Sequence, residues 1–313
     1  MMLPLVFLLL KSRAFGSALL QVLPCERGEL EFRRFPDGET YVRFLTPVKG
    51  RDVVLVCLLD TPDDRVVPLY MAANVARELG AKSVGFVIPY LPYLRQDEES
   101  DKGNGAISRH FAGLLSQCCD WLVTVDPAIR HQGDLAHIYP VPTRVTHAAS
   151  AIAEWITINV DRPILICSER QSADWVSEVA QLAKCRFHVL QSPGSAEFDA
   201  PLPLFDMSPQ DELQPVVLEK KVSTGDTMIM AARILQQHEA KPPVCIAVHP
   251  LLVGDSYAAI LSAGIDKLVS CNTIAHPTNR INVAAAVADD VLALLHAVNG
   301  GGIPQERECA QTS

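Results

Sequence analysis

Hydroxyl and carboxylate side chains crowd into one short stretch, Ser223-Thr224-Gly225-Asp226-Thr227. It follows the apolar run Val216-Val217-Leu218 and the charged residues Glu219-Lys220-Lys221. Behind it, Met228, Ile229, Ala232, Ile234 and Leu235 recur at helical spacing. A buried strand, a polar turn and a helix in that order can make an anion site, because the first N–H groups of a helix lack internal partners. Ser223, Thr224 and Thr227 add hydroxyl donors, and Gly225 lets backbone come close to a phosphate. The plain alternative is an ordinary strand-to-helix connection with an N-cap residue.

Further polar groups come directly after apolar runs. Asp126 follows Trp121–Val125, Glu169 follows Pro163–Cys167, and Tyr90-Leu91-Pro92-Tyr93-Leu94-Arg95-Gln96-Asp97 follows Ser83–Ile88. Ligands of open α/β sheets sit beyond the carboxyl ends of the strands, so these groups are expected to converge with the Ser223–Thr227 turn. Taken singly, each reads equally as a solvated loop.

The elements that must position them alternate. The opening residues Met1–Leu10 lack a basic residue before the apolar run and a small-residue cleavage site, and read as a first buried strand, not a leader. Ala14–Val22 has helical spacing. Glu29–Arg33 and Tyr41–Leu45 alternate around the turn Phe35-Pro36-Asp37-Gly38-Glu39 and predict a hairpin. Val53–Leu59, Ser83–Ile88 and Trp121–Val125 read as strands covered on both faces, separated by helices at Pro68–Leu79 and Ile107–Leu115. After a helix at Ala149–Ile158 the rhythm restarts: strands at Pro163–Cys167, Phe187–Leu190, Val216–Leu218, Val244–Val248 and Lys267–Cys271. Helices at Ala173–Leu182, Ser256–Leu261 and Val283–Val298 accompany them. Two doubly wound α/β domains with mostly parallel sheets follow, over residues 1–147 and 148–298, with a disordered tail at 299–313. Residues 192–215, proline-rich and acidic, read as a long loop.

A chain of 313 residues has room for both domains. A net charge of −9 argues against a nucleic-acid-coating surface, and no apolar stretch is long enough to span a membrane. The nine cysteines form no Cys-x-x-Cys pair and fit a reducing cytoplasm. Adjacent Cys118 and Cys119 are candidates for redox sensitivity.

Together these stretches resemble the ribose-phosphate pyrophosphokinases, the synthetases of phosphoribosyl pyrophosphate. Phe35-Pro36-Asp37-Gly38-Glu39 matches that family's Phe-Pro-Asp-Gly-Glu signature, and Pro89 to Asp97 its Pro-Tyr-x-x-Tyr-x-Arg-Gln-Asp segment. Ser223–Thr227 lies where the family binds the 5-phosphate of ribose, and Ala263-Gly264-Ile265 and Asn272-Thr273-Ile274 fit its second half. The resemblance implies two phosphoribosyltransferase-like domains and a magnesium-dependent transfer of diphosphate from ATP to ribose 5-phosphate. It implies adenine binding by Phe35, Asp37 and Glu39 from a neighbouring subunit, hence a homo-oligomer, and nucleotide contacts by Arg95 and Gln96.

The same resemblance exposes departures. The family's Asp-x-His becomes Asp126-Pro127-Ala128, so a methyl stands where an imidazole helps hold magnesium; His131 is a substitute only if the loop is remodelled. Glu169 keeps a carboxylate. Two aspartates ahead of the phosphate turn become Glu219 and Lys220, and the ammonium would repel a nearby metal. Asp226 adds negative charge beside an incoming phosphate. No lysine or arginine occurs between Gln191 and Glu219, where the family has its catalytic Lys-x-Arg loop, so no catalytic residue is assigned. The residues lean toward a nucleotide- and phosphate-binding homologue with little or no activity. A working synthetase with an altered metal site or sugar remains the alternative, and a plain phosphoribosyltransferase fits less well.

Overall fold

The computed structural model describes residues 2–9, 12–94, 106–128, 134–168, 172–190 and 212–300. Of the sequence expectations, Arg95, Gln96, His131, Glu169, most of the 192–215 loop and the tail from 301 lie outside the described residues.

The first half contains β1 (Leu5–Leu8), α1 (Arg13–Val22), β2 (Glu26–Arg27), β3 (Leu30–Arg34), β4 (Thr40–Phe44), β5 (Asp52–Val56) and α2 (Pro62–Glu78). β6 (Ser83–Val87), α3 (Ile107–Ser116), β7 (Trp121–Val125), α4 (Asp134–Ile138) and β8 (Thr143–Thr146) complete it. α5 (Ala149–Asn159) leads into β9 (Pro163–Cys167), α6 (Ala173–Ala183), β10 (Arg186–Val189), β11 (Gln214–Val222) and α7 (Asp226–Gln237). β12 (Val244–Pro250), α8 (Ser256–Ser262), β13 (Lys267–Cys271), β14 (Asn279–Ile281) and α9 (Ala284–Val298) follow.

Two six-stranded sheets result, ordered β2-β1-β5-β6-β7-β8 and β10-β9-β11-β12-β13-β14, with every neighbouring pair parallel. The winding is the same in both. The second strand lies outside the first, and the chain then crosses back and steps the other way. Each sheet therefore has one reversal point, between β1 and β5 and between β9 and β11, where a crevice opens past the strand ends. β3 and β4 pair antiparallel as a separate hairpin, as its turn chemistry predicts.

Alternation along the strands sends neighbouring side chains into different cores. Leu5, Phe7, Val53 and Leu55 join α2 and α3 on the outer face of the first sheet. Val217, Ile164 and Ile166 join α7 on the outer face of the second. Val6, Val54, Val56, Val216 and Leu218 belong to one cluster running through both sheets and α1, α5, α6 and α9. Inside it, Gly85 leaves room for Trp121: a Cβ there would lie 2.0 Å from the indole. The sheets are thus bonded through a shared core, and Arg144 and Thr146 of β8 also reach Asp290 of α9, at 3.1 and 2.7 Å.

Some expected boundaries shift. β11 continues through Glu219, Lys220 and Lys221 to Val222, because pairing with β12 extends to Val222↔Pro250. α2 starts at Pro62, with Asp63 and Asp64 in its first turn, and runs through Pro68. Asn299, expected to open the tail, donates to Asp52 Oδ2 at 3.0 Å. Cys118 and Cys119 are buried and their thiols are pushed up by desolvation, Cys118 to about 11, which leaves both as protonated core residues and removes the redox expectation.

Candidate functional site

The reversal point of the second sheet places the hydroxyl turn where a ligand would sit. β11 ends at Val222, the chain turns through Ser223 and Thr224, and α7 begins at Asp226. Gly225 has φ +86°, a left-handed conformation that suits glycine, and a Cβ there would lie 2.5 Å from the Ile260 side chain. Its carbonyl accepts the first helical hydrogen bond, from Ile229 N–H at 2.9 Å. No side chain caps the α7 N-terminus; the Thr224 hydroxyl donates to Asp226 Oδ2 at 2.7 Å instead. The leading N–H groups of α7 therefore remain directed at the crevice, with the partial positive charge of a helix start. The loop after β12 closes one side: Leu252 and Val253 N–H donate to the Val222 and Ser223 carbonyls, both at 3.1 Å.

Along β11, Glu219 and Lys220 point to opposite faces. Ser168, directly after β9, donates its hydroxyl to Glu219 Oε1. Lys220 places its ammonium 5.6 Å from the centre of the Trp175 ring, a cation–π arrangement. Its charge thus lies on the α6 side, away from the carboxylate of Glu219.

Asp126 sits at the end of β7, with φ +32° and 2% exposure. Both carboxylate oxygens are engaged: Oδ1 lies 3.1 Å from His147 Nδ1, and Oδ2 accepts the Ala148 N–H at 2.8 Å. The hydrogen bond to Asp126 raises the pKa of His147, against the lowering effect of burial. The carbonyl of Asp126 faces His249 Nε2 at 3.2 Å, so the strand ends of the two sheets meet here. His249 is buried, and desolvation lowers its pKa to about 4.

Among the described residues, those near Asp126 fit a magnesium site poorly. Ala128 offers a methyl, the Asp126 oxygens are taken, and among the described residues no cluster of three or more His, Cys, Asp or Glu side chains is placed to hold a metal. Phe35, Asp37 and Glu39 stand together at the exposed hairpin tip between β3 and β4. There the Phe35 N–H donates to the Glu39 carbonyl at 2.8 Å, Asp37 Oδ1 accepts the Glu39 N–H at 3.1 Å, and Phe35 meets Tyr41 edge-on at 6.2 Å.

Residues 5–118 match the model of the N-terminal domain of ribose phosphate pyrophosphokinase. The ribose-phosphate pyrophosphokinase of Methanothermobacter thermautotrophicus is 29% identical over 261 residues, covering 83% of this chain and 90% of the relative. Over most of its length the chain is similar to ribose-phosphate pyrophosphokinases. The ribose-phosphate pyrophosphokinase of Methanopyrus kandleri is 26% identical, over 88% of this chain and 94% of that one. The fold agrees with the crystal structure of phosphoribosylpyrophosphate synthetase from Mycobacterium smegmatis, at a TM-score of 0.78 and 17% identity, over 94% of this chain and 99% of that one. Two phosphoribosyltransferase-like domains follow from that match and from the twin sheets.

Three residues of the site escaped the sequence reading. Ser168 precedes the expected Glu169, and neither His147 nor His249 was among the candidate residues. His249 directly follows the buried run Val244–Val248, and His147 precedes Ala148, the N-cap of α5. Those positions, at a strand end and a helix start, were the available signal.

Proposed function

We propose that this chain binds ATP and a phosphorylated sugar of the ribose 5-phosphate type, as a cytoplasmic homo-oligomer, and transfers diphosphate slowly or not at all. Residues 1–147 form its nucleotide half and residues 148–298 its phosphosugar half. The α7 N-terminus with Ser223, Thr224, Gly225 and Thr227 holds the sugar phosphate. Phe35, Asp37 and Glu39 offer a stacking face and acceptors for adenine, and Arg95 and Gln96 hold the remainder of the nucleotide. The exposure of the hairpin tip supports an adenine shared with a neighbouring subunit. Magnesium arrives on the ATP phosphates, where it neutralises charge; the protein adds few ligands of its own.

The engagement of both Asp126 oxygens is the observation that carries the low-activity reading. It is joined by Ala128 and by the absence of Lys or Arg between Gln191 and Glu219, where cations would steady the migrating phosphates. Calorimetric titration of the full chain with ATP and magnesium, then with ribose 5-phosphate, tests the binding half. Saturable binding of both, lost for ATP in Phe35→Ala, supports it; no heat from either ligand sinks it. The alternative of a working synthetase is favoured by the full-length likeness to synthetases, and turnover decides between them.

A further inference from the structure

We propose that His249 is a positioning residue: its Nε2–H holds the Asp126 carbonyl and so fixes the turn leaving β7 against the strand ends of the second sheet. The inference rests on the functional reading only for the claim that this turn serves the nucleotide.

The imidazole is 1% exposed and gathers strand ends from both sheets. Nε2 lies 3.2 Å from the Asp126 carbonyl after β7. Nδ1 lies 3.0 Å from Thr273 Oγ1, just past β13. The ring of Tyr90, past β6, is centred 5.2 Å away. A neutral imidazole carries one N–H, and a carbonyl can only accept. The contact with Asp126 therefore needs the proton on Nε2, which leaves Nδ1 to accept from the Thr273 hydroxyl. That hydroxyl also lies 2.5 Å from the Val248 carbonyl, so its one proton is shared between two acceptors. A proton on Nε2 thus secures the interdomain contact at the expense of the local one.

What is held there is strained. Asp126 has φ +32°, a conformation that non-glycine residues adopt only when the surroundings over-determine it. His147 and the Ala148 N–H fix its side chain, and His249 fixes its carbonyl. The direction in which the chain leaves toward Pro127 and Ala128 follows from those contacts. His249 thereby ties the geometry of the nucleotide side to the phosphosugar strands.

Two substitutions separate positioning from filling. His249→Gln can keep an N–H where Nε2 stands, whereas His249→Asn reaches only the Thr273 side. In the full chain, hydrogen exchange of peptides covering residues 121–128 should rise about tenfold or more in His249→Asn and stay within about threefold in His249→Gln. Affinity for ATP with magnesium should fall about tenfold in the Asn variant alone, with ribose 5-phosphate affinity unchanged. Equal exchange in the two variants, raised or not, overturns the proposal. If the Asn variant does not fold, nitrogen NMR of the native ring decides: an Nε2–H tautomer supports the latch and an Nδ1–H tautomer overturns it. A native chain that binds no ATP sinks the functional reading, while the exchange contrast still decides the latch.

Discussion

Two histidines facing one aspartate titrate in opposite directions. The hydrogen bond that His147 donates to the Asp126 carboxylate raises the pKa of His147, so protonation adds stability that is fully present below about 6.5 and fades as pH climbs through the folded value. Its side chain is 46% exposed, which discounts that increment to about 0.5 kcal/mol. His249 is lowered from 6.5 to about 4 by burial. The unfolded chain then takes up the proton first on acidification, so stability present above pH 6.5 drains away toward pH 4, by on the order of 3 kcal/mol. Urea midpoints followed down through this window should fall less steeply in His249→Gln than in the native chain; parallel curves would refute the assignment. At Ala128, a histidine would restore a possible ligand beside the phosphates. Ala128→His is expected to raise AMP formation from ATP and ribose 5-phosphate by about tenfold over the native rate, and an unchanged rate would show the position to be misread.

At the scale of elements, the Ser223–Thr227 turn depends on glycine. Gly225→Ala combines a left-handed backbone with a Cβ 2.5 Å from Ile260, and should cost about 1–3 kcal/mol in urea unfolding. It should also weaken ribose 5-phosphate binding, because α7 would be displaced from the crevice; normal affinity at normal stability would count against that role. The strands that were legible in the sequence are those buried on both faces, such as β5, β6 and β7, whose apolar runs leave little choice. Those that were not are edge pieces. β2 is Glu26-Arg27, β8 reads Thr-Arg-Val-Thr, and β14 has three residues, so each owes its place to pairing with a neighbour more than to its own pattern. The charges Glu219, Lys220 and Lys221 likewise hid the end of β11, where side chains leave the core and approach the crevice. The hairpin and the Ser223–Thr227 turn were readable because glycine, proline and hydroxyl residues specify local geometry. The Asp126–His147 and Asp126–His249 contacts were not, since they join residues brought together only by tertiary packing.

Over the whole molecule, the two reversal points differ although the sheets are wound alike. In the first sheet, buried Ser12 donates to the Leu9 carbonyl at 2.5 Å and accepts the Leu58 N–H at 3.2 Å, stitching the ends of β1 and β5 together. In the second, the end of β11 opens into the uncapped start of α7. The twin folds thus differ at their reversal points, a serine bridging the strand ends in one and a helix start without a side-chain cap in the other. The shared core also predicts that both halves unfold in one transition. Fluorescence of Trp121 and Trp175, read in variants that keep one of them and replace Trp155, should report coincident urea curves. Asp290→Ala, which removes the partner of Arg144 and Thr146, should shift both by about 1–3 kcal/mol. The decisive measurement is turnover: the pure chain with ATP, magnesium and ribose 5-phosphate, assayed for AMP and phosphoribosyl pyrophosphate beside a binding titration. Saturable ATP binding with product near background is predicted; robust magnesium-dependent formation of both products would contradict it.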